Sequence, residues 1–123
     1  HTYMQSRNDT YVMELAIQYI RRNYPKPITL AMVSNEVSLN YAYFSTMFSK
    51  YTGKTFSEYL RNTRMEKAKE LLRQPDISIA EVAAQVGYEN YKSFYRAFKD
   101  AVGTTPVEYQ QKKYRIHRED EKQ

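Results

Sequence analysis

The chain has 123 residues, room for one ordinary domain or two very small ones, and its nineteen Lys and Arg against fourteen Asp and Glu give a formal charge of +5. That excess pulls modestly toward polyanions without specifying one. The absence of Cys excludes disulfides, thiolate metal sites and thiol nucleophiles, and the two His, His1 and His117, stand at the ends, so no catalytic, metal or cofactor residues are expected. No apolar run approaches a membrane span and no signal peptide is visible, which suits a cytoplasmic protein without a membrane partner. The chain opens on His1 instead of Met, as expected for a piece cut from a longer protein, or for processing or cloning.

Residues 1–8 show no periodicity and are expected to be disordered. Asp9 or Thr10 can cap a first helix whose apolar face is Val12, Leu15, Ala16, Tyr19 and Ile20, stopped by Pro25 and Pro27. Thr29 can cap a short helix, Leu30 to Val37, followed by a turn at Ser38 and Leu39. Asn40 then caps a helix from about Tyr41 to Thr52, with Phe44, Met47, Phe48 and Tyr51 at helical spacing and Gly53 as a left-handed stop. Two short helices joined by a tight turn have the size of a helix-turn-helix.

The stretch Thr55 to Gln74 reads as one continuous helix. Thr55 and Glu58 form a capping box at its start, and Pro75 ends it. It carries two apolar patches, Phe56, Tyr59 and Leu60, then Met65, Ala68, Leu71 and Leu72, with the polar run Arg61 to Arg64 between them. Arg64 lies toward the apolar side, where its stem can pack while its head finds a carboxylate. Beyond it, Ser78 and Glu81 read as a second capping box for Ile79 to Val86, and Gly87 sits in a turn. Asn90 caps Tyr91 to Val102, whose apolar face is Phe94, Phe98, Ala101 and Val102, and Gly103 ends it. Thr105, Pro106 and Glu108 open a last helix with Pro at its first position. Residues 115–123 have mixed charge and no apolar pattern, and are expected to be disordered.

The two sides of the central helix repeat one another. LAMVSNEV (Leu30 to Val37) lies on IAEVAAQV (Ile79 to Val86), and after a shift of a single residue near Gly87 to Glu89 the pairs Asn40/Asn90, Tyr41/Tyr91, Phe44/Phe94, Phe48/Phe98, Gly53/Gly103, Thr55/Thr105, Glu58/Glu108 and Tyr59/Tyr109 are identical. The expected fold is all-α, with about seven helices: a first helix-turn-helix subdomain over residues 9–54, a linker helix over 55–74 and a second helix-turn-helix subdomain over 75–114. The central helix closes the first copy and opens the second.

The second helix of each pair has an uncommitted face. In the second copy Lys92, Arg96 and Lys99 recur at i, i+4 and i+7, flanked by Tyr91 and Tyr95. Such a face suits phosphates and guanine edges, since Arg pairs bidentately with O6 and N7. A basic helix face is also commonly just solvated, and the helix-turn-helix context is what favours DNA here. The matching face of the first copy is Ala42, Ser45, Thr46 and Ser49, with Lys50 as the lone cation of that helix. Ser and Thr can bond base edges and Ala can touch a thymine methyl, yet such a face releases few counterions. The Phe residues at helical spacing read as core, and Lys112, Lys113, Arg115 and Arg118 as solvated charges.

The stretch Ile79 to Gln110, with Ala83, Val86, Gly87, Tyr88, Phe94, Phe98, Lys99, Gly103, Pro106 and Tyr109 in place, resembles the signature of the DNA-binding domain of AraC/XylS transcription regulators. RMEKAKELL (Arg64 to Leu72) resembles that family's linker helix. The resemblance covers about Val12 to Tyr114. It implies two helix-turn-helix units entering adjacent major-groove segments of double-stranded DNA, with base contacts from Ala42, Ser45 and Thr46 in the first and from Tyr91, Lys92, Tyr95 and Arg96 in the second. The family often presents larger polar groups on the first of these helices than this chain does. The closeness of IAEVAAQVGY and GTTPVEY to response regulators implies a receiver or sensor domain elsewhere in a longer protein. The expected function is sequence-specific DNA binding and transcription activation. The alternative is a protein-interaction module docking on RNA polymerase or another acidic partner. An enzyme of the alkylation-repair type, which carries a related module, needs a Cys nucleophile that this chain lacks.

Overall fold

The computed structural model describes residues 7–113. Among the described residues there are helices and no strand: α1 (Arg7–Asn23), α2 (Leu30–Glu36), α3 (Tyr41–Thr52), α4 (Phe56–Leu71), α5 (Ile79–Gln85), α6 (Tyr91–Val102) and a helical run over 106–113, α7, that reaches the last described residue. The chain divides into two compact units that meet at Arg61 and Asn62, inside α4.

In the first unit the core is built by α1, α2, α3 and the first turns of α4. Phe48 is its centre, fully buried, with the rings of Phe44, Phe56 and Tyr59 at 5.5, 6.1 and 5.3 Å in tilted or edge-on contact. The buried stripe of α1 is Met13, Ala16, Ile17 and Ile20, whereas Leu15, expected inside, is 37% exposed. Two overlapping apolar stripes of the same helical spacing run along this helix, and the one through Met13 and Ile17 is the one that enters the core, with Val12 and Tyr19 only partly buried against it. The helix also starts earlier than expected: Arg7 and Asn8 already belong to it, and Asp9 lies in its first turn, where a carboxylate suits the helix dipole.

Local chemistry sets the remaining boundaries. Thr29 Oγ1 accepts from the Met32 N–H at 3.2 Å and Asn40 Oδ1 from the Tyr43 N–H at 3.1 Å. Between them α2 closes in a Schellman motif, with Leu39 N–H donating to Ser34 O at 2.9 Å and Ser38 N–H to Asn35 O at 3.1 Å. That motif needs a left-handed residue, and Ser38 supplies it at φ 58°. Gly53 ends α3 at φ 76°. Thr55 and Glu58 exchange the two bonds of a capping box, at 3.0 and 3.2 Å.

The second unit repeats this plan. Met65, Ala68 and Leu72 of α4 and its last turn are buried as Met13, Ala16 and Ile20 are in α1, so the duplication extends to the opening helix. Phe98 takes the place of Phe48, with Phe94 at 5.7 Å and Tyr109 at 5.6 Å. Gly87 supplies the left-handed turn residue at φ 102°, and Tyr88 N–H donates to Ala83 O as Leu39 does to Ser34. The extra residue of the second copy is therefore Glu89, exposed at the end of the turn. Ser78 Oγ accepts from Glu81 N–H at 3.0 Å, half of the expected box, while the Glu81 carboxylate accepts from Gln85 at 3.5 Å. Thr105 and Glu108 complete a full box at 3.1 Å in each direction, and Pro106 is buried behind it.

Two expectations are corrected here. Regular helix in α4 stops at Leu71, not Gln74, because the last turn tightens into i to i−3 bonds, Arg73 to Glu70 and Gln74 to Leu71, ahead of Pro75. Ala101, expected in the core, is exposed, since Phe94 and Phe98 already fill the buried stripe of α6. The Arg64 guanidinium lies over the Tyr88 ring, 5.6 Å from its centroid, in a cation–π contact. Residues 1–6 and 114–123, including the expected disordered tail over 115–123, lie outside the described residues.

Candidate nucleic-acid interface

In α6 the apolar period commits Phe94 and Phe98 to the core, so its remaining positions are turned outward. Lys92, Arg96 and Lys99 are all exposed, on one face, and neither Lys92 nor Arg96 enters a salt bridge among the described residues. Tyr91 is 42% exposed and its ring lies 5.8 Å from that of half-buried Tyr95, so the two rings form a ledge beside the cations. Asn90 Oδ1 caps the helix by accepting from Ser93 N–H at 2.9 Å. Lys99 also acts at a distance on Glu108, whose carboxyl is held below its ordinary value first by the Thr105 N–H and hydroxyl and then by that cation. The face as a whole can neutralise phosphates and present one bidentate donor to a base edge.

The corresponding face of α3 has different chemistry. Ala42, Thr46 and Lys50 are exposed and Ser45 and Ser49 half-buried, over the core formed by Phe44, Met47 and Phe48. Tyr41, 56% exposed at the start of α3, is a position that the sequence reading passed over, although its identity with Tyr91 in the repeat was the signal that could have found it. Two further tyrosines of α3 turn toward α1: the Tyr43 hydroxyl donates to Asp9 Oδ2 at 3.3 Å, and the Tyr51 hydroxyl to Glu14 Oε2. Both hydroxyls are held above their ordinary pKa, Tyr43 mainly by partial burial and then by Asp9, Tyr51 mainly by the bond to Glu14. They remain protonated donors at neutral pH.

Among the described residues no group of His, Cys, Asp or Glu could hold a metal, and no helix is long and apolar enough to cross a membrane. What the molecule offers is two helix-turn-helix units, each with the outer face of its second helix open.

A family model described as a helix-turn-helix domain matches residues 33–112. The chain is 34% identical over 99 residues to the regulatory protein PocR of Salmonella typhimurium, covering 80% of this chain and 33% of that protein. The solved C-terminal domain of AraT, a response regulator from Geobacillus stearothermophilus, superposes with a TM-score of 0.81 at 34% identity, covering 87% of this chain and 88% of that one. The C-terminal domain of the two-component response regulator yesN from Fusobacterium nucleatum does so at 0.77 and 37%, covering 81% and 98%. The chain thus spans a third of the length of PocR but nearly all of the two solved domains. By motif, duplication and fold, the chain belongs to the AraC/XylS family of helix-turn-helix DNA-binding domains of transcription regulators.

Proposed function

We propose that this chain is the DNA-reading output module of a bacterial response regulator, binding double-stranded DNA in a sequence-specific way and activating transcription. The observation that carries this is the open face of α6, where Lys92, Arg96 and Lys99 stand exposed on the second helix of a helix-turn-helix. In this reading Tyr91, Lys92, Tyr95 and Arg96 meet base edges in one major-groove segment and Lys99 a phosphate. Ala42, Ser45, Thr46 and Ser49, with Lys50, meet the adjacent segment. Likeness to the domains of AraT and yesN supports a receiver domain in the full protein, and RNA polymerase is the further partner that activation requires. A module of this kind binds and recruits, without catalysing, and works in the cytoplasm.

Titration of the chain with duplexes selected from a random pool, and with scrambled duplexes, tests the proposal. Lys99→Ala is expected to weaken all duplexes alike and to flatten the salt dependence by about one counterion. Arg96→Ala is expected to cost about 1–3 kcal/mol on selected duplexes and to relax preference at one base pair. Equal losses from Arg96→Ala on selected and scrambled DNA would exclude base readout by this residue.

A further inference from the structure

The two units are built on one plan but are braced differently. In the first, two tyrosines of α3 reach α1: Tyr43 near the start of α3 bonds Asp9, and Tyr51 near its end bonds Glu14. The two hydroxyls are eight positions apart, about 12 Å along the helix axis at about 1.5 Å per residue. The second copy has Ser93 and Ala101 at the same places, and neither can span to a neighbouring helix as a tyrosine does. The difference runs parallel to the chemistry of the open faces. Ala42, Ser45, Thr46 and Ser49 are short, with at most one rotatable hydroxyl each, so a small tilt of α3 moves their polar atoms out of hydrogen-bond range of any surface they meet. Lys92, Arg96 and Lys99 carry long flexible stems that absorb such a tilt by changing rotamer.

We propose that Tyr43 and Tyr51 are positioning residues for sequence readout by the first unit, fixing α3 on α1 at two points so that its short side chains are held at one angle to the base edges. The inference rests on the DNA-binding reading above. Each tyrosine is a neutral donor to a carboxylate, a charge-assisted bond stronger than one between neutral groups. Both hydroxyls are protonated donors at neutral pH, as any tyrosine is. Asp9 and Glu14 thereby acquire a role on a helix that carries none of the proposed base contacts.

The test uses Tyr43→Phe with Tyr51→Phe, which removes two hydroxyls and keeps both rings, and a rescue control, Asp9→Asn with Glu14→Gln, whose amide oxygens still accept. Binding is measured on the selected duplex, on duplexes altered in the half that Arg96→Ala leaves unaffected, on duplexes altered in the other half, and on scrambled DNA. The phenylalanine variant is expected to lose discrimination about tenfold in the first half alone, the scale of one charge-assisted hydrogen bond. Its affinity for scrambled DNA and its discrimination in the second half are expected to stay as they were, and the amide variant is expected to keep most of the first-half discrimination. Circular dichroism melting confirms that each variant is folded. If the double variant melts too low for the assay, Tyr43→Phe alone carries the same expectation at smaller size. Unchanged first-half discrimination overturns the proposal, and so does uniform weakening on every duplex, which marks a general structural role. Absence of any preference by the unsubstituted chain is a different result, and removes the DNA-binding reading itself.

Discussion

Position 38 shows what a single residue contributes to each turn. The Schellman motif that closes α2 requires a left-handed backbone, and Ser38 adopts it at φ 58°, while its counterpart Gly87 does so at φ 102°. For a residue with a Cβ, the left-handed conformation costs roughly 1–2 kcal/mol. Part of the relief on removing that Cβ is offset by the greater freedom of Gly in the unfolded chain. Ser38→Gly is therefore expected to stabilise the first unit by about 1 kcal/mol, and Gly87→Ser to destabilise the second by a similar amount. Thermal melting of the two variants checks both signs. A lower melting temperature for Ser38→Gly would mean that the serine side chain contributes more than its backbone costs.

At the scale of the element, the start of α4 and the start of α7 depend on ionised carboxylates. Glu58 accepts from the Thr55 N–H, and its carboxyl is held below the ordinary Glu value first by that backbone bond and then by the Thr55 hydroxyl. Glu108 is held down by Thr105 in the same way. Because the folded pKa is the depressed one, this contribution is fully present above the unfolded value and is lost as pH falls through the folded value. Melting temperature is expected to drop on the acid side of ordinary Glu titration. Glu58→Gln with Glu108→Gln should melt below the unsubstituted chain at neutral pH, with the gap closing in acid. A gap of constant size from neutral to acid pH would show that the charge on these residues contributes nothing to capping.

For the whole molecule, α4 belongs to both units, and its polar stretch Arg61 to Arg64 contains the boundary between them. Phe56 and Leu60 belong to the core of the first unit, and Met65, Ala68 and Leu72 are buried beyond the polar stretch. One Ala inserted between Asn62 and Thr63 adds about 100° of rotation and about 1.5 Å to all that follows, and leaves both sets of core residues in their own register. If the two units read adjacent groove segments as proposed, the insertion is expected to preserve helicity by circular dichroism while affinity falls toward that of one unit. The protected DNA is expected to shorten to half of the site. A folded insertion variant that protects the full site with native affinity would mean that one unit suffices for binding, or that α4 bends to compensate.

The helices, the duplication and the outward faces of α3 and α6 could be read along the chain. These features rest on interactions of fixed, short spacing: caps reach two or three residues, and the buried stripe recurs every three or four. Thr29, Asn40, Ser78, Asn90 and the boxes at Thr55 and Thr105 were legible for that reason. Where two local patterns competed, packing chose between them, placing Met13 and Ile17 inside and Leu15 outside, and leaving Ala101 exposed because two phenylalanines already filled the stripe. Contacts between distant residues were not legible at all. Tyr43 meets Asp9 across 34 positions and Tyr51 meets Glu14 across 37, and Arg64 settles over Tyr88. No periodicity links such pairs, since their separation is set by how the helices pack and not by the geometry of any one of them. The tie of α3 to α1 near both of its ends emerges from packing alone, whereas the lack of a tyrosine at the equivalent positions, Ser93 and Ala101, is already written in the sequence.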